Sequence, residues 1–291
     1  MAKAKWRKTR ELIADAQTIL AAEWPMTVRQ LFYRLVSGGA IENTRADYCR
    51  LSRVLTRARE EDDIPFDWIV DRSRPIYAPS VFENVEDGIK ALRDCYRKDY
   101  WQHQPFHCET WCEKDAVIGS IQPVTDDLGV TVRVGRGFNS ATRVHEIAGL
   151  FAAIRKPIRV FYLGDHDPSG RCIEVELYRR ALRYGSREFD MKRLAIHAAD
   201  ITRFNLPPLR VKDSDSRAKM FRAEHGSECV ELDALPPDEL RRRVREAIEG
   251  LLDVDAWNRA LKVEKVERES IASIVARIRA LPSVDGRQGI H

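Results

Sequence analysis

The stretch Arg159-Val-Phe-Tyr-Leu-Gly-Asp-His-Asp-Pro-Ser-Gly170 decides how this chain is read. Its first five residues are apolar or aromatic enough for a buried strand, Gly164 breaks the run, and Asp165 and Asp167 follow at once. Ser169 reads as the start of a helix. An apolar strand that stops at acids places carboxylates at its carboxyl end, where open α/β sheets collect their ligands.

Working outward, the rhythm from residue 106 onward alternates strand and helix. The pattern predicts strand 106–112, helix 115–127, strand 130–134, a GRGFN loop, helix 140–153, strand 158–164, helix 169–184 and strand 192–196. Such alternation argues for a parallel sheet with helices on its faces. Beyond it come the LPP of 206–208, a helix from about 214, a short strand CVEL at 229–232, and helices near 236–251 and 255–280. Glu113 repeats the placement of the aspartates: it follows the strand FHCETWC and precedes a helix beginning near Asp115. If the first and third strands are neighbours, Glu113, Asp165 and Asp167 converge at one sheet edge. Left alone they repel each other and raise each other's pKa. A hard divalent cation with oxygen ligands relieves that repulsion, and Mg²⁺ fits best, with Mn²⁺ as a substitute. The plainer alternative is that these acids cap turns and helix N-termini.

The N-terminal third reads differently. Residues 1–23 carry a helical pattern. Thr27 and Gln30 are spaced as a capping box ahead of a helix with Val28, Leu31, Phe32 and Leu35 on its apolar face, and Gly38-Gly39 ends it. A second helix, about 44–60, buries Leu51, Val54, Leu55 and Ala58 and spreads Arg45, Arg50, Arg53, Arg57 and Arg59 over the rest. A short strand or hairpin is expected within 64–74, and one connecting helix within 78–103. Helix, turn, arginine-rich helix and strand is the order of a winged helix, whose second helix enters a DNA groove. The alternative is a solvated basic face on a helical bundle.

Composition bounds the rest. The chain has 291 residues, 44% hydrophobic and 32% charged, enough for about two domains. The division expected is a helical, winged-helix part over 1–103 and an α/β part with a helical C-terminal extension over 104–291. Forty-nine basic against 45 acidic residues leave a net charge of +4, too mild alone to indicate nucleic-acid binding. No apolar run reaches the length of a membrane span, and MAKAKWRKTR lacks the apolar core of a secretory signal. With six scattered cysteines, a reducing cytoplasm is the expected compartment. His103, His107, Cys108 and Cys112 have the residue types of a zinc site. The same run reads as a strand in which the cysteines pack as small hydrophobes, and no second Cys/His pair sits at a finger-like distance.

Two motifs together, WCEKDA and GDHDPSG about fifty residues later, resemble a Toprim domain, the Mg²⁺-binding fold of topoisomerases, bacterial-type primases and some nucleases. Asp-x-Asp-Pro-x-Gly before a helix, with the Ala-Thr-Arg at 141–143, is similar to the A subunit of topoisomerase VI and its meiotic relatives. The resemblance is to a compact, stand-alone A-like member. It implies Glu113, Asp165 and Asp167 as the metal site and Lys114 and Arg143 near DNA phosphates; His166 is left as structural. That family cuts DNA with a tyrosine in a winged helix, in a segment like Arg-x-(Ile/Leu)-(Phe/Tyr)-Tyr. Arg29-Gln-Leu-Phe-Tyr33 stands at the corresponding place, with Tyr48 and Tyr77 as fallback nucleophiles. Arg29 and Tyr33, four apart, share a helical face. A guanidinium there can support a phenol whose ordinary pKa of about 10 makes it a weak nucleophile.

The resemblance thus implies an Mg²⁺-dependent, DNA-cleaving transesterase acting on double-stranded DNA as a homodimer, the tyrosine of one protomer working with the acids of the other. The rivals are a Toprim nuclease that activates water, and a DNA-binding module with a degenerate metal site. No GxxxxGK[ST] loop is present, so ATP-driven strand passage would need a separate ATPase B subunit.

Overall fold

The computed structural model describes residues 2–70, 79–135 and 140–279. Tyr77 and positions 136–139 of the GRGFN loop lie outside the described residues. By contacts the chain divides into two compact units, Met1–Arg74 with Phe106–Leu251, and Pro75–Pro105 with Leu252–His291.

The first unit is built on four parallel strands, β1 (His107–Cys112), β2 (Thr131–Val134), β3 (Ile158–Leu163) and β4 (Asp190–Ala195), in the order β2-β1-β3-β4. Helices α5 (Asp115–Asp127), α6 (Ala141–Ala153) and α7 (Pro168–Arg183) connect them. From β1 the chain first goes to β2 on one side, then crosses to β3 on the other. The crevice between β1 and β3 is therefore the topological switch point. Cys112 pairs with Leu163 in register, so the segments leaving these two strands start level with one another.

Packing follows from the apolar runs. Trp111, Val160 and Tyr162 from the sheet interleave with Val144, Ile147 and Phe151 of α6 and Leu177 and Ala181 of α7 in one buried cluster. Cys108 and Cys112 are buried in β1, and burial pushes both thiols up to about 12, so they act as small apolar residues. Glu109, buried between them, is held at about 2. Burial works against its charge, but hydrogen bonds from Arg133, His107 and Trp111 prevail.

The N-terminal segment of this unit forms helices α1 (Ala2–Glu23), α2 (Val28–Ser37) and α3 (Arg45–Glu60), which pack on one another. The expected capping box exists: Thr27 Oγ1 accepts from the Gln30 amide and Gln30 Oε1 from the Thr27 amide. Where a strand or hairpin was expected over 64–74, the described part holds a 3-10 turn, Phe66–Trp68, and one bridge from Ile69 to Met26. Pro65 opens the turn and leaves little length for a strand. After β4 come α8 (Ala198–Arg203), a two-residue pair β5 (Leu209–Arg210) and β6 (Glu228–Cys229), α9 (Ala218–His225) between them, and α10 (Pro237–Glu249) against α5. The helix expected from 214 starts at 218, because Asp215 accepts the Arg217 amide at 2.9 Å and holds a turn there.

The second unit pairs α4 (Val85–Cys95) with α11 (Val254–Arg279). Lys98 and Tyr96 bond to Glu267, and the Tyr100 ring packs at a tilt on Trp257, centroids 4.7 Å apart. No helix of the described residues is long and apolar enough to cross a membrane.

Candidate active site

Glu113 and Asp165 leave β1 and β3 side by side at the switch point. The Glu113 amide donates to the Leu163 carbonyl at 2.8 Å, and Glu113 Oε2 accepts the Asp165 amide at 3.0 Å. Gly164 and Gly170 make this possible. A Cβ on Gly170 would lie 2.5 Å from the Asp165 carbonyl oxygen and 3.1 Å from Glu113 Oε2, and one on Gly164 would lie 2.8 Å from Glu113 Oε2. Burial lifts the Glu113 carboxyl to about 7, with the charges of Asp165 and Asp167 adding to it. Asp165 is raised as well, burial outweighing Lys114.

Asp167 is held at the start of a helix. It is the N-cap of α7, its Oδ1 accepting the Gly170 amide at 2.6 Å, with Pro168 as the first helical residue. The helix thus starts one residue before Ser169, where it was expected. His166 points into the core against Phe221 and His225, and burial with the neighbouring His225 brings its ring down to about 4. Arg193 lies beneath the acidic turn. Its guanidinium donates to the Gly164 carbonyl at 2.7 Å and to Glu174 at 2.8 Å, and it is buried.

The structure adds two acids that sequence reasoning missed, Glu231 and Asp233. The chain returns to the sheet edge through an antiparallel bridge between His166 and Val230, and the Leu232 amide then donates to Asp165 Oδ1 at 2.7 Å. The turn Leu232–Ala234 packs on α2. A weaker form of the signal at 165–167 was available: the short apolar pair Cys229-Val230 is followed by Glu231 and, after Leu232, by Asp233.

Lys114, expected near phosphates, is an internal cation. Its Nζ sits 3.0 Å from Asp165 Oδ1, 3.0 Å from Glu231 Oε2 and 2.8 Å from Asp233 Oδ2. Burial alone would weaken its proton, but the three acids hold its pKa well above the ordinary value. From α2, Arg29 Nη2 reaches Glu231 at 2.7 and 2.5 Å. The Arg29 guanidinium also lies 5.8 Å from the Tyr33 ring centre. Tyr33 is buried, and its phenol is raised by burial first and by Glu231 second, with Arg29 opposing.

An open cleft of about 760 Å³ is lined by Arg29, Tyr48, Arg59, Glu113, Lys114 and Asp165 among others, including Glu231 and Asp233. Tyr33 lines an adjoining hollow of about 220 Å³ with Arg29, Arg45 and Tyr48. Of the other basic candidates, Arg50 pairs with Asp47 and Arg57 with Glu61, while the Arg53 guanidinium bonds to the Cys49 carbonyl. Arg143 is exposed on α6 and pairs with Glu146. Among the described residues, no group of three or more His, Cys, Asp or Glu side chains is arranged to hold a metal ion.

No family model, curated protein or solved structure matches this chain.

Proposed function

We propose that the chain is a topoisomerase VI A-like, Mg²⁺-dependent DNA-cleaving transesterase, with α2 and α3 serving as the DNA-reading pair of a winged helix. One observation carries the reading. Arg29, one turn before Tyr33, bonds Glu231, and Glu231 shares Lys114 with Asp165, so α2 and the strand-end acids meet in one electrostatic network.

The donor types, carboxylate oxygens, are those a hard divalent cation takes, and the side chains would have to converge on it, since as they stand no three of them form a metal-holding group among the described residues. Five carboxylates (Glu113, Asp165, Asp167, Glu231, Asp233) stand against two cations, Lys114 and Arg29, and Glu113 is lifted to about 7 in consequence of burial and its acidic neighbours. A DNA phosphate approaching such an acidic centre needs added positive charge. Glu113, Asp165 and Asp167 would hold Mg²⁺ or Mn²⁺, which when bound supplies charge stabilisation to oxygens at the reacting phosphate.

In the proposed reaction the Tyr33 oxygen attacks a backbone phosphorus. A phosphotyrosyl bond forms to the 5′ end and the bond to the 3′ oxygen breaks. The phenol gives up one proton and the leaving 3′ oxygen takes one up, so no net proton is consumed. Arg29 stands beside the phenol to stabilise negative charge. Arg45, Arg50, Arg53 and Arg57 on α3 would grip duplex phosphates. One tyrosine cuts one strand, so a double-strand break takes a two-fold pair of chains. Strand passage driven by ATP would need a separate subunit.

A second reading has an observation of its own. Tyr33 lines the smaller hollow while the acids line the cleft, and its phenol is held above the ordinary value. That arrangement suits a Toprim nuclease in which the acids activate water and Tyr33 is idle.

Supercoiled plasmid incubated with Mg²⁺ or Mn²⁺, run with and without protease, separates the two. Transesterification predicts DNA retained by bound protein and released by protease, lost in Tyr33→Phe. Free ends in both lanes favour the nuclease, and no cleavage under either metal overturns both.

A further inference from the structure

Resting on the DNA-binding reading above, we propose that Glu231 is a positioning residue that stands in for a DNA phosphate, holding Arg29 and Lys114 in place until a phosphate displaces it. Its contacts are those a phosphate would make. Arg29 Nη2 lies on both carboxylate oxygens, at 2.7 and 2.5 Å, and the Lys114 ammonium is 3.0 Å from one of them. Guanidinium and ammonium groups converging on one pair of oxygens are a phosphate-binding arrangement.

The three acids around Lys114 differ in how firmly they are held. Asp165 is pinned by the Leu232 amide at 2.7 Å. The Asp233 side chain is 1% exposed. The Glu231 side chain is 23% exposed, its partner Arg29 is 46% exposed, and both border the open cleft. Glu231 is therefore the member free to swing away. When it does, Lys114 keeps Asp165 and Asp233, at 3.0 and 2.8 Å, and does not become an unpaired buried charge. Of its acidic partners Arg29 then keeps the distant Asp233, 3.9 Å away, and with Tyr33 beside it is available to an incoming anion.

The test is duplex-DNA binding, followed by fluorescence anisotropy against salt concentration in EDTA so that no cleavage intervenes. Glu231→Gln keeps the size of the side chain and removes its charge. It is expected to tighten binding roughly five-fold at low salt, because Arg29 no longer gives up a carboxylate to take the phosphate, while the log-log salt slope stays that of the wild type, the same phosphate being held in both. The gain should vanish in the Glu231→Gln/Arg29→Gln double variant, and Glu231→Asp, which keeps a carboxylate, should stay near wild type. A purely structural role for Glu231 would not tighten binding. Should Glu231→Gln fail to fold, Glu231→Ala carries the same expectation. Wild-type binding that Glu231→Gln leaves unchanged or weakens overturns this inference alone; absence of DNA binding by the wild type overturns the DNA reading with it.

Discussion

The Asp165 amide donates to Glu113 Oε2 across 3.0 Å, joining two residues that lie 52 positions apart in the chain. This bond closes the crevice between β1 and β3 at its carboxyl end, and it exists only because the turn after β3 comes very close to Glu113. The surrounding contacts turn that closeness into expectations for single substitutions.

Gly170→Ala should destabilise the first unit by about 2 kcal/mol or more. The new methyl would meet the Asp165 carbonyl oxygen at 2.5 Å, a backbone atom with no rotamer to escape into. Chemical denaturation checks this, and Gly149→Ala is the control. A Cβ at Gly149 meets nothing within 4 Å, so that change should be neutral or slightly stabilising.

Arg193→Met removes the buried guanidinium that ties the Gly164 carbonyl to Glu174. The loss leaves Glu174 with Arg171 and the Gly164 carbonyl with the Ile196 amide as their partners, a cost on the order of 2 kcal/mol. Hydrogen exchange at the His166 amide, which donates to the Val230 carbonyl at 2.9 Å, should quicken together with the fall in stability. Unchanged exchange there would show that the acidic turn does not depend on Arg193.

Much of this architecture was legible because local signals agreed. Apolar runs marked β1 and β3, a break fell at Gly164, and Thr27 with Gln30 announced α2. The acids at 113 and 165 were legible because a strand end is a local feature. Glu231 and Asp233 carry a similar local mark. Their arrival at the same edge rests on the His166–Val230 bridge and on the Leu232 amide reaching Asp165, long-range pairings that no periodicity encodes. Two of the three acids around Lys114, Glu231 and Asp233, were out of sight for the same reason. The start of α7 was readable, since Asp before Pro is an N-cap followed by a favoured first helical residue, yet Ser169 drew the assignment instead.

The Tyr33 phenol should respond to its two charged neighbours in opposite directions. Glu231→Gln removes a negative charge that raises it and should lower its pKa. Arg29→Gln removes the opposing cation and should raise it. Phenolate absorbance titrated in each variant, with the matching Tyr33→Phe background subtracted, reads both shifts. Equal values in the two variants would mean that neither charge reaches the phenol.

Glu113 gives a pH dependence whose sign is determined by its direction of shift. Its folded-state value of about 7 lies above the ordinary 4.5, so the folded chain holds a proton there that the unfolded chain has released. The favourable contribution is full below about 4.5 and is lost as pH rises through about 7. In EDTA, Glu113→Gln should therefore gain on wild type above pH 7, by up to roughly 3 kcal/mol, and the gap should close in acid. Adding Mg²⁺ should reverse the ranking at high pH, because a divalent cation bound by the charged carboxylate stabilises the wild type and not the amide. Thermal melts of both proteins with and without Mg²⁺, on either side of pH 7, give four comparisons. A wild type whose melting temperature ignores Mg²⁺ at high pH would remove the cation from this site and leave Lys114 as its charge balance.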